Sequence, residues 1–149
     1  MLKLPKILVL DYSKWICGGG VKKGVQTSHG LGSTSLLNDK GYMCCLGQFS
    51  CQSGVTPKDI RRKVNPAGMN IVITGLNKPT DYNSTLDTKF SEEAIDINDD
   101  LETTIAEKAH KLTLLCSKYK RTLLLKNFPQ GVLNQIKGKY NVYKSCKIG

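Results

Sequence analysis

LLNDKGYMCCLG, residues 36–47, joins a turn, a pair of adjacent cysteines and the beginning of a helix. Asn38 and Gly41 take the first and fourth places of the turn, which suits a type I turn with a bulge. The apolar side chains that follow recur at helical spacing, at Tyr42, Leu46 and Phe49. The stretch therefore predicts a tight hairpin that leads directly into a helix.

Two further elements are predicted by local signals on either side of this stretch. Residues 7–10 form a short apolar block that is typical of a buried strand, and Asp11 after it can cap a brief helix. Thr56, Pro57 and Asp59 form a helix start, with a capping hydroxyl, a proline at the first position and an acid at the third. This second helix is expected to carry Lys58, Arg61, Arg62 and Lys63.

The rest of the chain predicts a small mixed domain. Residues 101–119 place apolar side chains on one side at helical spacing, with acids at the start and lysines at the end, as a helix dipole favours. The other predicted elements are strands at 71–74, 123–125 and 140–148 and a helix at 132–137 that ends at Gly138. The polar and glycine-rich segments 21–35 and 75–89 are expected to be flexible. We therefore predict a single α+β domain over residues 1–149, with short antiparallel strands and several packed helices.

Composition limits the cellular setting. A chain of 149 residues with 40% hydrophobic content is long enough to bury a core without crosslinks. No apolar run approaches the roughly 20 residues that a membrane span needs, and the block at 7–10 is too short for the core of an export signal. We therefore expect a cytoplasmic protein with no membrane partner, whose six cysteines are reduced thiols.

The net charge of +10 is unevenly distributed along the chain. Residues 1–80 and the basic C-terminal segment 111–149 are strongly positive, whereas residues 81–110 carry most of the acids. Charge divided in this way predicts at least one positive face, which favours a polyanionic partner.

A metal or thiol site is the weaker alternative. Cys17, His29, Cys44 and Cys51 lie within one stretch, and zinc accepts thiolate and imidazole ligands. No two of them form a CxxC or HxxxH pair, and the glycine-rich segment 18–24 lacks the spacing of a phosphate-binding fingerprint. We therefore predict no cofactor and identify no small-molecule substrate, while a thiol- or zinc-dependent enzyme stays open as an alternative.

Basic side chains interleaved with tyrosines at positions 119, 140 and 143 form the more informative pattern, because lysine and arginine bind phosphates and aromatic rings stack on bases. The predicted nucleic-acid-binding residues are Lys22, Lys23, Lys58, Arg61, Arg62, Lys63, Lys118, Lys120, Arg121, Lys137, Lys139 and Lys144.

The order of motifs also resembles a family of small uncharacterised proteins encoded by bacteriophages and bacteria. The residues that carry the resemblance are Trp15 in a short helix, the glycine-rich loop after it, the Cys44-Cys45-Leu46-Gly47 helix, and later Asn98-Asp99 and Ile105-Ala106. The resemblance implies a small standalone phage-type protein in the host bacterial cytosol, and it implies no established activity.

Charge and resemblance together favour a phage-type accessory protein that acts by binding. Its expected partner is nucleic acid or an acidic host nucleoprotein complex, contacted through the basic face. The alternative is a protein-interaction inhibitor that blocks a host or defence enzyme through an apolar and aromatic patch.

Overall fold

The computed structural model describes residues 2–18, 34–69, 71–77, 88–140 and 147–148. These residues form a single small α+β domain. Its strands are β1 (Leu2–Lys3), β2 (Ile7–Asp11), β3 (Ile73–Thr74), β4 (Thr122–Lys126) and β5 (Lys147–Ile148). Its helices are α1 (Cys45–Gln52), α2 (Pro57–Ile60), α3 (Lys89–Asp99), α4 (Ile105–Lys118) and α5 (Gln130–Tyr140), with short 3-10 turns at Tyr12–Lys14 and Pro66–Gly68.

The described strands pair in parallel, so the predicted antiparallel pairing is wrong. β1 pairs with β3, while β2, β4 and β5 form a second sheet in that order. Leu8 lies opposite Leu123 and Leu10 lies opposite Leu125, and all four side chains are buried. Parallel pairing follows from the connections, because a helix between two strands returns the chain to the same end of the sheet.

The turn at Asn38–Gly41 is confirmed, and its flanks are joined by two backbone hydrogen bonds without forming a regular ladder: the Asn38 amide donates to the Tyr42 carbonyl at 2.9 Å and the Cys44 amide to the Ser35 carbonyl at 3.2 Å. The Gly41 amide donates to the Asn38 carbonyl at 3.1 Å, and Gly41 has a φ of +87°, which glycine adopts without strain. On either side, Leu37 forms a parallel bridge with Arg61 and Met43 forms one with Trp15. The two flanks of the turn therefore also contact different segments of the chain.

Helix α1 explains the sequence of the Cys44–Gly47 motif. Cys44 is the N-cap, and its thiol accepts a hydrogen bond from the Gly47 amide at 3.4 Å. Cys45 and Leu46 are fully buried. At Gly47 the helix lies against the backbone of Leu36, where a side chain would overlap the Leu36 carbonyl group. Each position of the motif therefore has a structural role.

The start of α2 is confirmed, but the helix is shorter than predicted. Thr56 and Asp59 form the capping box, with the Thr56 amide donating to the Asp59 carboxylate at 2.9 Å. The helix ends at Ile60, and Arg62 has a left-handed φ of +60°. Of the predicted basic residues, only Lys58 lies on the helix. Arg61, Arg62 and Lys63 follow it.

Two helices differ from their predicted bounds. The acidic residues of the 90s lie on α3, a separate helix capped by Thr88, and not at the start of α4. At the described ends of the predicted connector 75–89, Leu76 and Asn77 are buried and Lys89 is already helical. Helix α5 continues through Gly138 to Tyr140, so the predicted end at Gly138 is wrong. The predicted strand at 123–125 is confirmed within β4.

Side-chain amides take the place of a neighbouring strand along β2. Gln52 both accepts from the Val9 amide and donates to the Val9 carbonyl, each at 2.7 Å. Gln48, one turn earlier on α1, makes the same pair with Asp11 at 2.7 and 3.2 Å. This arrangement satisfies the outer edge of β2, which would otherwise be open to pairing with another chain.

The close approach at Gly47 gives a direct test of the packing. Gly47→Ala should destabilise the protein by about 1 to 3 kcal/mol, because the new methyl group forces α1 away from Leu36. Gly138→Ala is the matched control, since this helical glycine faces open space and alanine should stabilise α5 by up to about 1 kcal/mol. Urea unfolding of both variants measures the difference, and equal effects would contradict the packing at Gly47.

Candidate functional site

The α2 cluster, which we define as Lys58, Arg61, Arg62 and Lys63, groups four of the predicted basic residues within one short stretch. Lys58, Arg61 and Arg62 are exposed, and Lys63 is half-buried. Arg62 forms an ion pair with Asp39, with Nε 3.0 Å from Oδ1. The hydrogen bond from Arg62 lowers the pKa of the Asp39 carboxyl below its ordinary value.

The turn cluster, Lys118, Lys120 and Arg121, lies where α4 passes into β4. Lys120 is exposed on a left-handed residue with a φ of +59°. Lys118 Nζ forms an ion pair with Glu93 at 2.8 Å. Hydrogen bonds from Lys118 and Tyr119 lower the pKa of the Glu93 carboxyl. The acidic segment therefore neutralises one member of this cluster directly.

The remaining predicted basic residues lie on α5 or outside the described residues. Lys137 is exposed on α5, and Lys139 lies in the same helix. Lys22, Lys23 and Lys144 lie outside the described residues. Among the residues that the structure describes, no hydrogen bond or ion pair connects the α2 cluster with the turn cluster. One continuous basic face stays a prediction.

Four of the ten described carboxylates are engaged by the fold as backbone caps. Asp59 and Glu107 complete the capping boxes of α2 and α4. Asp11 caps the 3-10 turn through the Ser13 amide at 2.9 Å, and Asp100 accepts from the Glu102 amide at 2.8 Å. These four acids serve backbone caps, whereas among the described residues Asp39 and Glu93 pair with basic side chains.

Tyr119 is engaged by the fold and is not a free ring for base stacking. Its hydroxyl donates to Glu93 at 2.9 Å, and its ring meets Phe90 edge-on with the centroids 5.5 Å apart. The side chains at positions 140 and 143 lie outside the part of the chain whose side chains are described. Among the described residues, the large exposed apolar side chains are aliphatic, at Ile7, Leu101 and Leu114.

A buried polar centre surrounds Asn98 at the end of α3. The Asn98 side-chain oxygen accepts from the Trp15 indole at 2.8 Å and from the Cys45 amide at 3.1 Å. Its amide nitrogen donates to the Ile16 carbonyl at 3.2 Å and to the Thr34 hydroxyl at 3.0 Å. The two ends of the undescribed segment 19–33 meet here, because Gly18 donates to the Asn98 carbonyl at 2.8 Å.

Charged side chains border this centre. The Thr34 hydroxyl donates to Asp99 at 2.7 Å, and partial burial raises the pKa of the Asp99 carboxyl. Lys108 is completely buried, and its ammonium group donates to the Thr103 hydroxyl at 2.7 Å and to the Asp100 carbonyl. Burial lowers the pKa of Lys108. Lys108 thus satisfies carbonyl oxygens at the end of α3, where a cation is favoured.

The candidate metal ligands that the structure describes do not form one cluster. Cys17 and Cys44 are both buried near Asp99, and burial raises the pKa of each thiol to about 12. Cys51 lies elsewhere, with its sulfur 3.8 Å from that of Met43. His29 lies outside the described residues. Within the described part of the chain, no three His, Cys, Asp or Glu side chains are placed to hold a metal ion.

A cleft of about 270 Å³ lies at the carboxyl ends of β2 and β4. Its lining includes Lys14, Lys126, Asp11, Met43 and Cys51. In parallel sheets this end is where ligands commonly bind. Sequence reasoning missed this cleft, because the residues that form it come from four separate segments.

Thiol burial predicts an order of reactivity. Native alkylation followed by peptide mass spectrometry should modify Cys51 before Cys17, Cys44 and Cys45, because Cys51 is the only one of these four that is not buried. The buried thiols should react only after addition of guanidinium chloride. Rapid modification of Cys17 or Cys44 in the folded protein would instead support the thiol-dependent enzyme.

Asp99 predicts a pH dependence of stability. Because its folded pKa is raised, ionisation costs stability as the pH rises through that pKa, and the cost is absent below the unfolded value of about 4. Asp99→Asn keeps an oxygen for the Thr34 hydroxyl, so it should be more stable than the original near pH 7. The difference should shrink toward pH 4 in urea unfolding. A less stable variant at pH 7 would contradict the direction of the shift.

Comparisons with known proteins give no relative from which an activity could be carried over. No protein-family model matches the chain, and neither a curated protein nor a solved structure is similar to it. No helix of the described residues is long and apolar enough to cross a membrane. The candidate sites are therefore the α2 cluster, the turn cluster and the cleft at the strand ends, and each is assessed on its own geometry.

Proposed function

We propose that this protein acts by binding a polyanion through the α2 cluster and the turn cluster. The partner is nucleic acid or the acidic surface of a host nucleoprotein complex, and the setting is the cytosol of a phage-infected bacterium. The observation that carries the proposal is that Lys58, Arg61 and Lys120 are exposed and form no ion pair among the described residues, on a chain of net charge +10.

The α2 cluster supports the proposal most directly. Lys58 and Arg61 are exposed and take part in no ion pair among the described residues. Arg62 beside them is already oriented by Asp39, so its guanidinium group is held at the surface. Arginine and lysine at such a site can contact successive phosphates without reading the bases.

The turn cluster contributes a second contact. Lys120 is exposed, and the Thr122 amide donates to the Lys6 carbonyl at 2.8 Å, which brings another exposed lysine to the same end of the sheet. Exposed lysines also maintain solubility in many proteins. A binding role therefore requires that affinity depend on which lysines are removed and not only on how many.

Fluorescence anisotropy with labelled single-stranded and duplex DNA tests this dependence. Lys58→Gln with Arg61→Gln should weaken binding about tenfold or more at low salt. The slope of log affinity against log salt should fall by about 2, because each lost phosphate contact removes about one counterion. Lys120→Gln should lower the same slope by about 1.

Lys14→Gln with Lys126→Gln is the matched control, because it removes the same charge from the cleft at the opposite end of β2 and β4. Equal losses for both double variants would mean that only net charge matters and would overturn the two sites. Absence of binding at low salt would exclude nucleic acid as the partner. Capture of a partner from nuclease-treated bacterial lysate would then support the acidic protein complex or the inhibitor alternative. Lys58→Gln with Arg61→Gln would abolish capture of an acidic protein complex and would leave capture by the inhibitor unchanged.

A further inference from the structure

The outer face of the α3–α4 helical hairpin contains a groove of about 410 Å³ with an apolar floor. Ile97 of α3 and Leu114 and Leu115 of α4 form this floor. The Leu114 side chain is 48% exposed, whereas Leu112 and Leu115 of the same helix are buried. An exposed apolar strip between charged borders is typical of an interaction surface.

The two borders of the groove have opposite charges. Glu93 and Asp96 lie along the α3 side, and Lys111 and Lys118 lie along the α4 side. Glu93 and Lys118 already form an ion pair at one end. Asp96 and Lys111 are exposed, and neither forms an ion pair within the described residues. The groove is therefore neutral on a chain of net charge +10.

We propose that this groove binds a second copy of the same chain, through a two-fold axis that runs along the groove. Such an axis places the acidic border of each copy opposite the basic border of the other. A two-fold axis across the groove would instead oppose acid to acid and lysine to lysine, which costs free energy. Charge complementarity therefore selects both the occupant and its orientation.

The orientation specifies the contacts. The Leu114 side chains of the two copies meet over the apolar floor, and Asp96 of each copy faces Lys111 of the other. The axis keeps both copies pointing in the same direction along the groove. Both turn clusters then lie at the same end of the dimer, where two weak polyanion contacts can act together.

The size of the face predicts a reversible dimer. Helix α4 has 14 residues, so at 1.5 Å per residue the hairpin is about 21 Å long. Two helices side by side add about 20 Å of width, which gives roughly 400 Å² per copy and lies below the standard interface. We therefore expect dissociation in the micromolar range, visible only over a range of concentration.

Sedimentation velocity without nucleic acid, from about 5 to about 500 µM protein, tests the dimer. The original chain should shift from monomer to dimer with rising concentration. Leu114→Asp should remain monomeric throughout. Leu101→Asp is the matched control, because Leu101 is 51% exposed but does not line the groove, and it should dimerise normally. Circular dichroism checks that both variants are folded.

Charge reversal tests the orientation. Asp96→Lys and Lys111→Asp should each be monomeric alone, because like charges then face each other. An equimolar mixture of the two should form a heterodimer, since every facing pair is again opposite in sign. The chain that carries both changes should dimerise by itself. A monomer at every concentration, or dimerisation unaffected by Leu114→Asp, would overturn the proposal.

Failure of this inference and failure of the proposed function can be told apart. Dimerisation is measured without nucleic acid, and polyanion binding is measured for the monomeric Leu114→Asp variant beside the original chain. Binding without dimerisation would leave the α2 cluster and the turn cluster in place and remove only the groove. Dimerisation without polyanion binding would leave the groove in place and remove the α2 cluster and the turn cluster as binding sites.

Discussion

The side-chain amide of Asn98 joins four segments that are distant in sequence. It accepts from the Trp15 indole and the Cys45 amide, and it donates to the Ile16 carbonyl and the Thr34 hydroxyl. Each hydrogen bond contributes only about 0.5 to 1.5 kcal/mol net, but an unsatisfied buried partner costs about 1 to 3 kcal/mol. One side chain thereby fixes the start of α1, the end of α3 and both ends of segment 19–33. The arrangement of the helices depends on this centre.

The most distinctive motif residues have structural roles in or beside this buried polar centre. The buried indole of Trp15, the Cys44 cap, the close approach at Gly47 and the amide of Asn98 are all used internally. They are also the residues from which the sequence analysis expected a resemblance to phage and bacterial proteins, and their positions are explained by the fold. Burial also raises the pKa of the Cys44 thiol to about 12, which keeps it protonated at neutral pH. Residues that contact a partner therefore have to lie on the surface.

Sequence predicted what depends on neighbouring residues and failed where distant segments meet. The capping box of Thr56 and Asp59 is a local device, so it could be read directly. Parallel pairing of Leu8 with Leu123 links segments more than 100 residues apart, and no local signal encodes it. Helix α3 was missed because its buried residues, such as Phe90, are few among its charges. The candidate sites follow the same division: single cations were visible in sequence, but their ion pairs with Asp39 and Glu93 were not.

Salt acts on the two proposed surfaces through different charges. Polyanion binding by the α2 cluster and the turn cluster releases counterions, so added salt weakens it. Copies with a charge of +10 repel each other, and added salt screens this repulsion beyond a Debye length of about 8 Å at physiological ionic strength. Added salt also screens the attraction between the facing Asp96 and Lys111 side chains, so salt favours the dimer only through the loss of this overall repulsion. A bound polyanion neutralises the same repulsion without added salt, and because both turn clusters lie at one end of the dimer, it can also span them. Binding and dimerisation would then support each other, although neither surface contains a residue of the other apart from Lys118.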